Sequence, residues 1–308
     1  MQRRAITLPS FIERRLEAAV HEFFYQSGKA EIDFCEPKGE PALFAPDSTS
    51  WQVFKNPLSL FIGGVAAVIL ELAEPRVRTG VWNHTSFRTQ PLPRLQRTGL
   101  AAMVTVYGPR SESEAMIARV TRMHGRISGL TPAGEPYRAS DPELLDWVHA
   151  TAAFGFLEAY SAYVRPVAHA ERARFYAEGA SAACLYGALG APATESGIND
   201  LFAATHERLE PSPILSEFLD IMQRVPLVLR PFSPAQRWLV KAAVSILPGA
   251  VRERLGLGRQ WDLTDWQRRI VLAGGDAADR IILRSTPAVQ ACRRLGLPYD
   301  YLYQRRGT

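Results

Sequence analysis

Residues 58–73, "LSLFIGGVAAVILELA", form the most apolar stretch of the chain, and Glu71 is the one charged residue within it. A membrane-spanning helix needs about 20 apolar residues, so this shorter run predicts a buried core helix that ends at Glu74-Pro75. Its Gly63-Gly64 pair follows no strand, which favours a close contact between two helices over a phosphate-binding loop.

Helical signals dominate the remainder of the chain, with runs rich in Ala, Leu, Arg and Glu broken by Pro and Gly. We predict helices over 11–24 and 76–83, and another from Pro93 to Gly108, since proline is favoured in a first helical turn. Two further helices carry capping signals. These are Ser111 with Glu114, and Ser140 with Glu143, the second pair opening a central helix that is apolar nearly all round.

No linker divides the chain, so we expect residues 1–308 to form one all-α domain of many helices. Its last part, about 195–308, is expected to be an extension of helices of 10–20 residues. Neither a GxSxG elbow, a Walker loop nor a GxGxxG motif is present, which leaves serine hydrolases, nucleotide hydrolases and Rossmann dehydrogenases without support.

The composition of the chain indicates which binding partners and which cellular compartment to expect. The net charge of +5 comes from 36 basic against 31 acidic residues, but the arginines are scattered, so we expect no nucleic-acid partner. Cys35, Cys184 and Cys292 are odd in number and show no CxxC spacing, which argues against disulfides or zinc and for a reducing compartment. Charges return soon after the first residues, so we expect no export signal, no transmembrane segment and a cytoplasmic protein.

Three polar residues stand one turn apart at the head of the helix that begins near Pro93: Arg94, Arg97 and Thr98. A buried arginine is costly unless an anion or several acceptors pair with it. A common anion held by these side chains is one explanation. A salt bridge to a carboxylate of the chain is the other, and the candidates for it are Glu71, Glu74 and Asp146.

Two histidines, His124 and His149, lie within predicted buried helices. Neither belongs to a HExxH motif or to a cluster of Glu and His, so each could be an ordinary core histidine. An apolar helical pocket with a single histidine is also what haem requires, with arginines pairing with its propionates. The residues favour haem over other cofactors and leave the structural interpretation open.

Seven stretches occur in an order that resembles the MpaB and latex-clearing protein (rubber oxygenase) family. They are "GGVAAVILELAEP", "NHTSF", "RLQRT", "VYG", "MHGRISG", "GEPYRASDPELLDWVHAT" and "EAYSAYVRPVAHAERARFYAE". The resemblance covers about residues 57–190. It implies a globin-like helical core around a haem pocket, b-type haem with its iron, and oxygenase activity with O2.

The resemblance also implies roles for individual residues. His124 in "MHGRISG" becomes the expected iron ligand, with His149 as the second candidate, and Arg94 and Thr98 are expected to line the distal side of the haem. Position 97 departs from the family pattern, because Arg97 stands where those enzymes carry a lysine that can cap the iron. Arginine stays protonated and offers no lone pair to a metal.

We therefore expect a haem b-dependent oxygenase that acts with O2 on an apolar small molecule, such as an isoprenoid or another alkene. Arg94, Arg97 and Thr98 would contribute to its catalysis, and Glu71 and Glu74 are the candidates for a base. The alternative is a non-catalytic helical protein that binds haem or another hydrophobic ligand. Solid rubber is not an expected substrate, since we predict no export.

Overall fold

The computed structural model describes residues 5–6, 8–25, 32–226 and 233–304. Within those ranges the chain forms fourteen α-helices, two short 3-10 helices (His206–Arg208 and Arg259–Trp261) and one antiparallel pair of strands, β1 (Ser128–Leu130) and β2 (Pro136–Arg138). The all-α prediction is confirmed. The helices are α1 (Ser10–Tyr25), α2 (Thr49–Phe54), α3 (Pro57–Ala73), α4 (Pro75–His84), α5 (Pro91–Tyr107), α6 (Arg110–His124), α7 (Pro142–Tyr163), α8 (His169–Tyr186), α9 (Glu195–Thr205), α10 (Pro213–Arg224), α11 (Ser233–Ser245), α12 (Gly249–Arg254), α13 (Asp265–Arg280) and α14 (Pro287–Arg294).

The predicted apolar core helix is α3, and its ends have clear chemical causes. The Asn56 side chain accepts hydrogen bonds from the amides of Leu58 and Ser59, both at 3.1 Å, so the helix begins one residue earlier than predicted. At the other end, Glu74 caps α4 by accepting from the Val77 amide at 2.8 Å. Together these caps turn the chain sharply between α3 and α4.

Helices α3 and α7 cross at two glycines. A Cβ atom placed on Gly63 would lie 2.7 Å from the carbonyl oxygen of Gly155, and a Cβ on Gly155 would collide with the carbonyl oxygen of Gly63. Only glycine permits backbones to approach this closely. The predicted helix contact is confirmed, and the crossing holds the middle of the larger apolar core together.

A smaller apolar cluster joins α2, α5, α6 and α14. Trp51 and Tyr107 pack edge to face there, with ring centroids 5.1 Å apart, and the Tyr107 hydroxyl donates to the Trp51 carbonyl at 2.7 Å. Arg294, with 1% of its surface exposed, donates to three backbone carbonyls beside this cluster. Each of its three nitrogens donates one hydrogen bond, and the buried guanidinium thereby ties α14 to the end of α5.

Two predicted helix caps are wrong. Helix α6 begins at Arg110, and the Ser111 amide instead donates to the Glu40 carboxylate at 2.7 Å. Helix α7 is capped by Asp141, not Ser140, since the Asp141 side chain accepts from the Glu143 amide at 3.1 Å. In the first case a distant carboxylate takes the amide that a local cap would have satisfied, which sequence spacing cannot reveal.

Other boundaries also differ from the sequence predictions. Helix α5 begins at Pro91, two residues before the predicted start, and the strands β1 and β2 were not predicted. In the last part of the chain α12 has only six residues and α14 eight, shorter than expected. The globin-like core and the single-domain organisation stay predictions.

Within the described ranges, no single helix is long and apolar enough to cross a membrane. The pair α3 and α4 passes a test of length and composition together, but the two helices are bent by 110° at their junction.

Candidate functional site

The three polar residues in the first turns of α5 form two separate sets of hydrogen bonds. Arg94 donates a hydrogen bond to the Thr98 hydroxyl one turn later, and that hydroxyl donates to the Arg94 carbonyl at 2.9 Å. Arg97 instead donates to the Ser86 hydroxyl at 3.1 Å. Arg97 and Thr98 are both exposed, and Arg94 is half-buried. The structure thus brings Arg94 and Thr98 together, and the guanidinium of Arg97 has its own partner after α4.

Glu71, in the last turn of α3, is the carboxylate whose charge affects the pKa of Arg94. Burial raises the pKa of Glu71 to about 7, and the positive charge of Arg94 only partly opposes this. Burial likewise lowers the pKa of Arg94, against the opposing effect of Glu71 and with a smaller contribution from Arg97. A carboxyl group with a pKa near 7 can both take up and release a proton at neutral pH.

The other two carboxylates considered as partners for Arg94 have structural roles. Glu74 accepts from the Arg76 guanidinium at 2.7 Å and caps α4. Asp146 accepts from the Gly190 amide at 3.0 Å. Of the three candidates only Glu71 contributes to the pKa of Arg94.

His124 is the last residue of α6, and the charge of Arg94 acts on its side chain. Its Nδ1 atom is buried and has no hydrogen-bond partner among the described residues. Burial, and then the positive charge of Arg94, lower its pKa. The imidazole is therefore neutral at pH 7, which is the form that binds a metal.

Thr121, one turn before His124 on α6, also has a buried side-chain oxygen without a partner in the described part of the chain. Two neighbouring orphaned polar atoms on one helix are unusual, because buried polar atoms are nearly always hydrogen-bonded. No motif of the sequence marks Thr121. Its spacing of three residues from His124 was the available signal.

His149 occupies a different electrostatic environment, on α7. Burial alone lowers its pKa to about 4, and no charged group contributes. Its ring faces Gly179 of α8, where an added Cβ would lie 3.3 Å from the imidazole Cε1. Its Nε2 atom is buried and lacks a partner within the ranges described. The charge of Arg94 therefore affects the pKa values of both Glu71 and His124, and no charged group affects that of His149.

Among the described residues there is no group of three or more His, Cys, Asp or Glu side chains that could hold a metal ion by themselves. Haem needs no such group, because the porphyrin supplies four ligands and the protein one axial donor. The half-buried imidazole of His124 has a lowered pKa and one nitrogen without a partner among the described residues, and the charge of Arg94 acts on it, which suits that requirement. The residues present fit the cofactor.

These features define an all-α protein in which a carboxyl group with a raised pKa, an arginine, and an imidazole with one unpartnered nitrogen lie on separate helices. The chain matches the family model described as "ER-bound oxygenase mpaB/B'/Rubber oxygenase, catalytic domain" over residues 51–278, and it belongs to that family. The family is one of oxygenases that are in general of the haem type. The match confirms the resemblance and reaches well beyond the expected 57–190.

Comparison with curated proteins found no match, and comparison with solved structures found none either.

Glu71 is the site residue whose importance the sequence indicated least directly. It was noted there as a candidate base together with Glu74, with nothing to choose between them. The usable signal was its position, since it is the one charge inside a stretch of otherwise apolar residues. A charge retained in a buried helix needs a partner or a function.

Proposed function

We propose that the protein is a haem b-dependent oxygenase that uses O2 to oxidise an apolar small molecule carrying an alkene, such as an isoprenoid. The observation that carries the proposal is that the charge of Arg94 affects the pKa values of both Glu71 and His124, and that the Nδ1 atom of His124 has no partner among the described residues. Family membership supports the oxygenase class. The haem, its type and the substrate are our inference.

His124 is the residue we propose to hold the iron, with His149 as the second candidate. Its lowered pKa keeps a nitrogen lone pair available for a metal at neutral pH. When bound, haem would supply an iron centre able to activate O2. Arg94 is proposed to contact the cofactor as well, because its positive charge suits an anionic propionate.

Arg94 and Thr98 are proposed to act on the oxygen side. The guanidinium places a fixed positive charge in a poorly solvated region, where it stabilises negative charge that develops during reduction of O2. Thr98 fixes the guanidinium through its hydroxyl. Arg97 cannot replace the lysine found at this position in the family pattern, because it has no lone pair. Its side chain donates to Ser86, and its contribution to catalysis stays a prediction.

Glu71 is proposed to exchange the proton. With a pKa of about 7, both of its protonation states are populated at neutral pH. The Arg94 charge nearby stabilises the ionised form once the proton has left. Glu74 has no such freedom, since its carboxylate is held by Arg76 and by the start of α4.

The test is the visible absorption spectrum of the freshly purified protein, with a pyridine haemochrome assay, in the wild type and in His124→Ala and His149→Ala. We expect near-stoichiometric b-type haem in the wild type and in His149→Ala, and its loss in His124→Ala. Circular dichroism serves as the folding control. Haem kept by His124→Ala and lost by His149→Ala would reverse the ligand assignment.

A colourless wild-type protein that also fails to bind added haemin would refute the haem proposal itself. If haem is present, O2 consumption with a set of isoprenoid alkenes then tests the reaction. Tightly bound haem without O2 consumption for any of them would favour the non-catalytic binding protein.

A further inference from the structure

A cavity of about 220 Å³ lies apart from the residues discussed above, where the two ends of the chain pack onto the part matched to the family. Leu16 and Val20 of α1 form one wall, and residues after 278, including Leu283 and Tyr303, form another. Most of its lining is apolar. Lys55, which follows α2, is its one basic lining residue.

Lys55 is the most completely buried lysine of the described chain, with 2% of its side chain exposed. Its Nζ atom donates to the carboxylate of Asp279 and to the backbone carbonyl of the same residue, both at 2.7 Å. An ammonium group has three N–H donors. The remaining direction faces the ring of Tyr303, whose centroid is 4.6 Å from Nζ and which also lines the cavity.

The use of lysine here is unusual for this chain. Of its 36 basic residues only four are lysines, namely Lys29, Lys38, Lys55 and Lys241. Arg294, the buried cation that ties three backbone carbonyls together, is an arginine. Arginine cannot lose its proton inside a protein, whereas a desolvated lysine can and then becomes a nucleophile.

We propose that this cavity binds a small, neutral, apolar aldehyde and that Lys55 captures it reversibly as an imine. Asp279, already hydrogen-bonded to Nζ, takes one proton from the ammonium group. The amine nitrogen then forms a bond to the carbonyl carbon. The nitrogen passes a second proton to the oxygen and Asp279 returns the first, so the oxygen leaves as water. The third proton stays on nitrogen, and one ammonium group and one aldehyde therefore give one protonated imine and one water, with Asp279 ionised again.

The charge balance selects a neutral ligand. The positive charge of Lys55 is already matched by Asp279 at 2.7 Å, so a carboxylate ligand would bring an uncompensated charge into an apolar cavity. Burial lowers the pKa of Lys55, and the charge and hydrogen bond of Asp279 oppose this.

The volume sets the size of the ligand. A cavity of about 150 Å³ holds benzene, with six heavy atoms. In proportion, the present cavity of about 220 Å³ accommodates about nine heavy atoms. Heptanal, with eight, is a suitable probe.

The experiment traps the imine with sodium cyanoborohydride in the purified full-length protein and locates the adducts by peptide mass spectrometry. With only four lysines in the chain, every adduct can be assigned. We expect labelling of Lys55 to saturate as heptanal is increased and to fall when heptan-1-ol is added as a competitor. Lys38, with 56% of its side chain exposed, is expected to label in linear proportion to heptanal, with no effect of the alcohol.

Two alanines of α13 provide a matched pair of variants. Ala278 lines the cavity and Ala273 is exposed on the same helix. Ala278→Leu is expected to lower Lys55 labelling by about tenfold, the factor that corresponds to about 1.4 kcal/mol of binding. Ala273→Leu is expected to leave labelling unchanged.

Absence of a Lys55 adduct, or labelling of Lys55 that rises linearly in parallel with Lys38, would overturn the proposal. Equal labelling in the two alanine variants would overturn it as well. Should Ala278→Leu fail to fold, as judged by circular dichroism, saturation and competition in the wild type decide the matter. None of these outcomes depends on haem, so they separate this proposal from the oxygenase.

Discussion

Replacement of Glu71 by glutamine should make the protein more stable at pH 8. Burial raises the pKa of Glu71 from 4.5 to about 7 in the folded protein. Between these two values the folded protein binds more protons than the unfolded chain, so its stability falls as the pH rises through this window. Above about pH 7 the loss is complete, and below about pH 4.5 it is absent.

The size of the effect follows from the two pKa values. They differ by about 2.5, and each pKa unit corresponds to about 1.4 kcal/mol, so ionisation of Glu71 costs at most about 3 kcal/mol. Glu71→Gln removes this cost because glutamine does not ionise. We expect the variant to exceed the wild type by up to about 3 kcal/mol at pH 8, and to equal it within about 0.5 kcal/mol at pH 4.5.

The assay is urea unfolding of both proteins at a series of pH values, with their haem content determined beforehand. Taking the difference between variant and wild type removes the contribution of every other titrating group. Glu74→Gln is the matched control, because this carboxylate lies three residues away but pairs with Arg76. It should lose about 3 kcal/mol or more, as expected when one partner of a buried ion pair is removed.

A Glu71→Gln protein that is no more stable than the wild type at pH 8 would refute the reasoning. So would a difference that does not change between pH 4.5 and 8. If Glu71 also exchanges the proton of the reaction, the stabilised variant loses turnover, since a strained functional group is often retained at the expense of stability.

Two further predictions concern stability. Gly155→Ala should destabilise the protein by about 1–3 kcal/mol in urea unfolding, because its Cβ meets the backbone of α3. Gly64→Ala, whose Cβ would touch only the Phe156 ring at 3.8 Å, should stabilise it by up to about 1 kcal/mol, since alanine is favoured over glycine inside a helix; equal losses in the two variants would contradict the crossing described here. Burial lowers the pKa of His149 from 6.5 to about 4, so the folded protein binds fewer protons in this window and stability falls as the pH falls through it. His149→Gln should abolish that loss, about 3 kcal/mol between the two values; a wild type and a variant with parallel pH profiles would show that His149 is solvated.

The sequence carried much of the fold because its signals are local. An apolar stretch too short for a membrane, prolines at helix starts and a glycine pair predicted α3, its end at Glu74 and its close contact with another helix. The predicted cap at Ser140 was wrong because its neighbour Asp141 takes that role, whereas the cap at Ser111 failed for a non-local reason. The Ser111 amide is satisfied by Glu40, which is remote in sequence, and no local pattern contains that information.

For the candidate site, the sequence alone determined which residue types were available: arginines and a threonine at the head of one helix, two histidines in others, and one carboxylate in an apolar run. Only the tertiary structure decided which of them act on each other. It placed His124 close enough to Arg94 for that charge to lower its pKa, and it packed His149 against Gly179. It also paired Glu74 with Arg76, which Glu71 does not contact. The physical reason is that desolvation and Coulomb interactions depend on distances in space, and these are set by the packing of helices that sequence spacing does not specify.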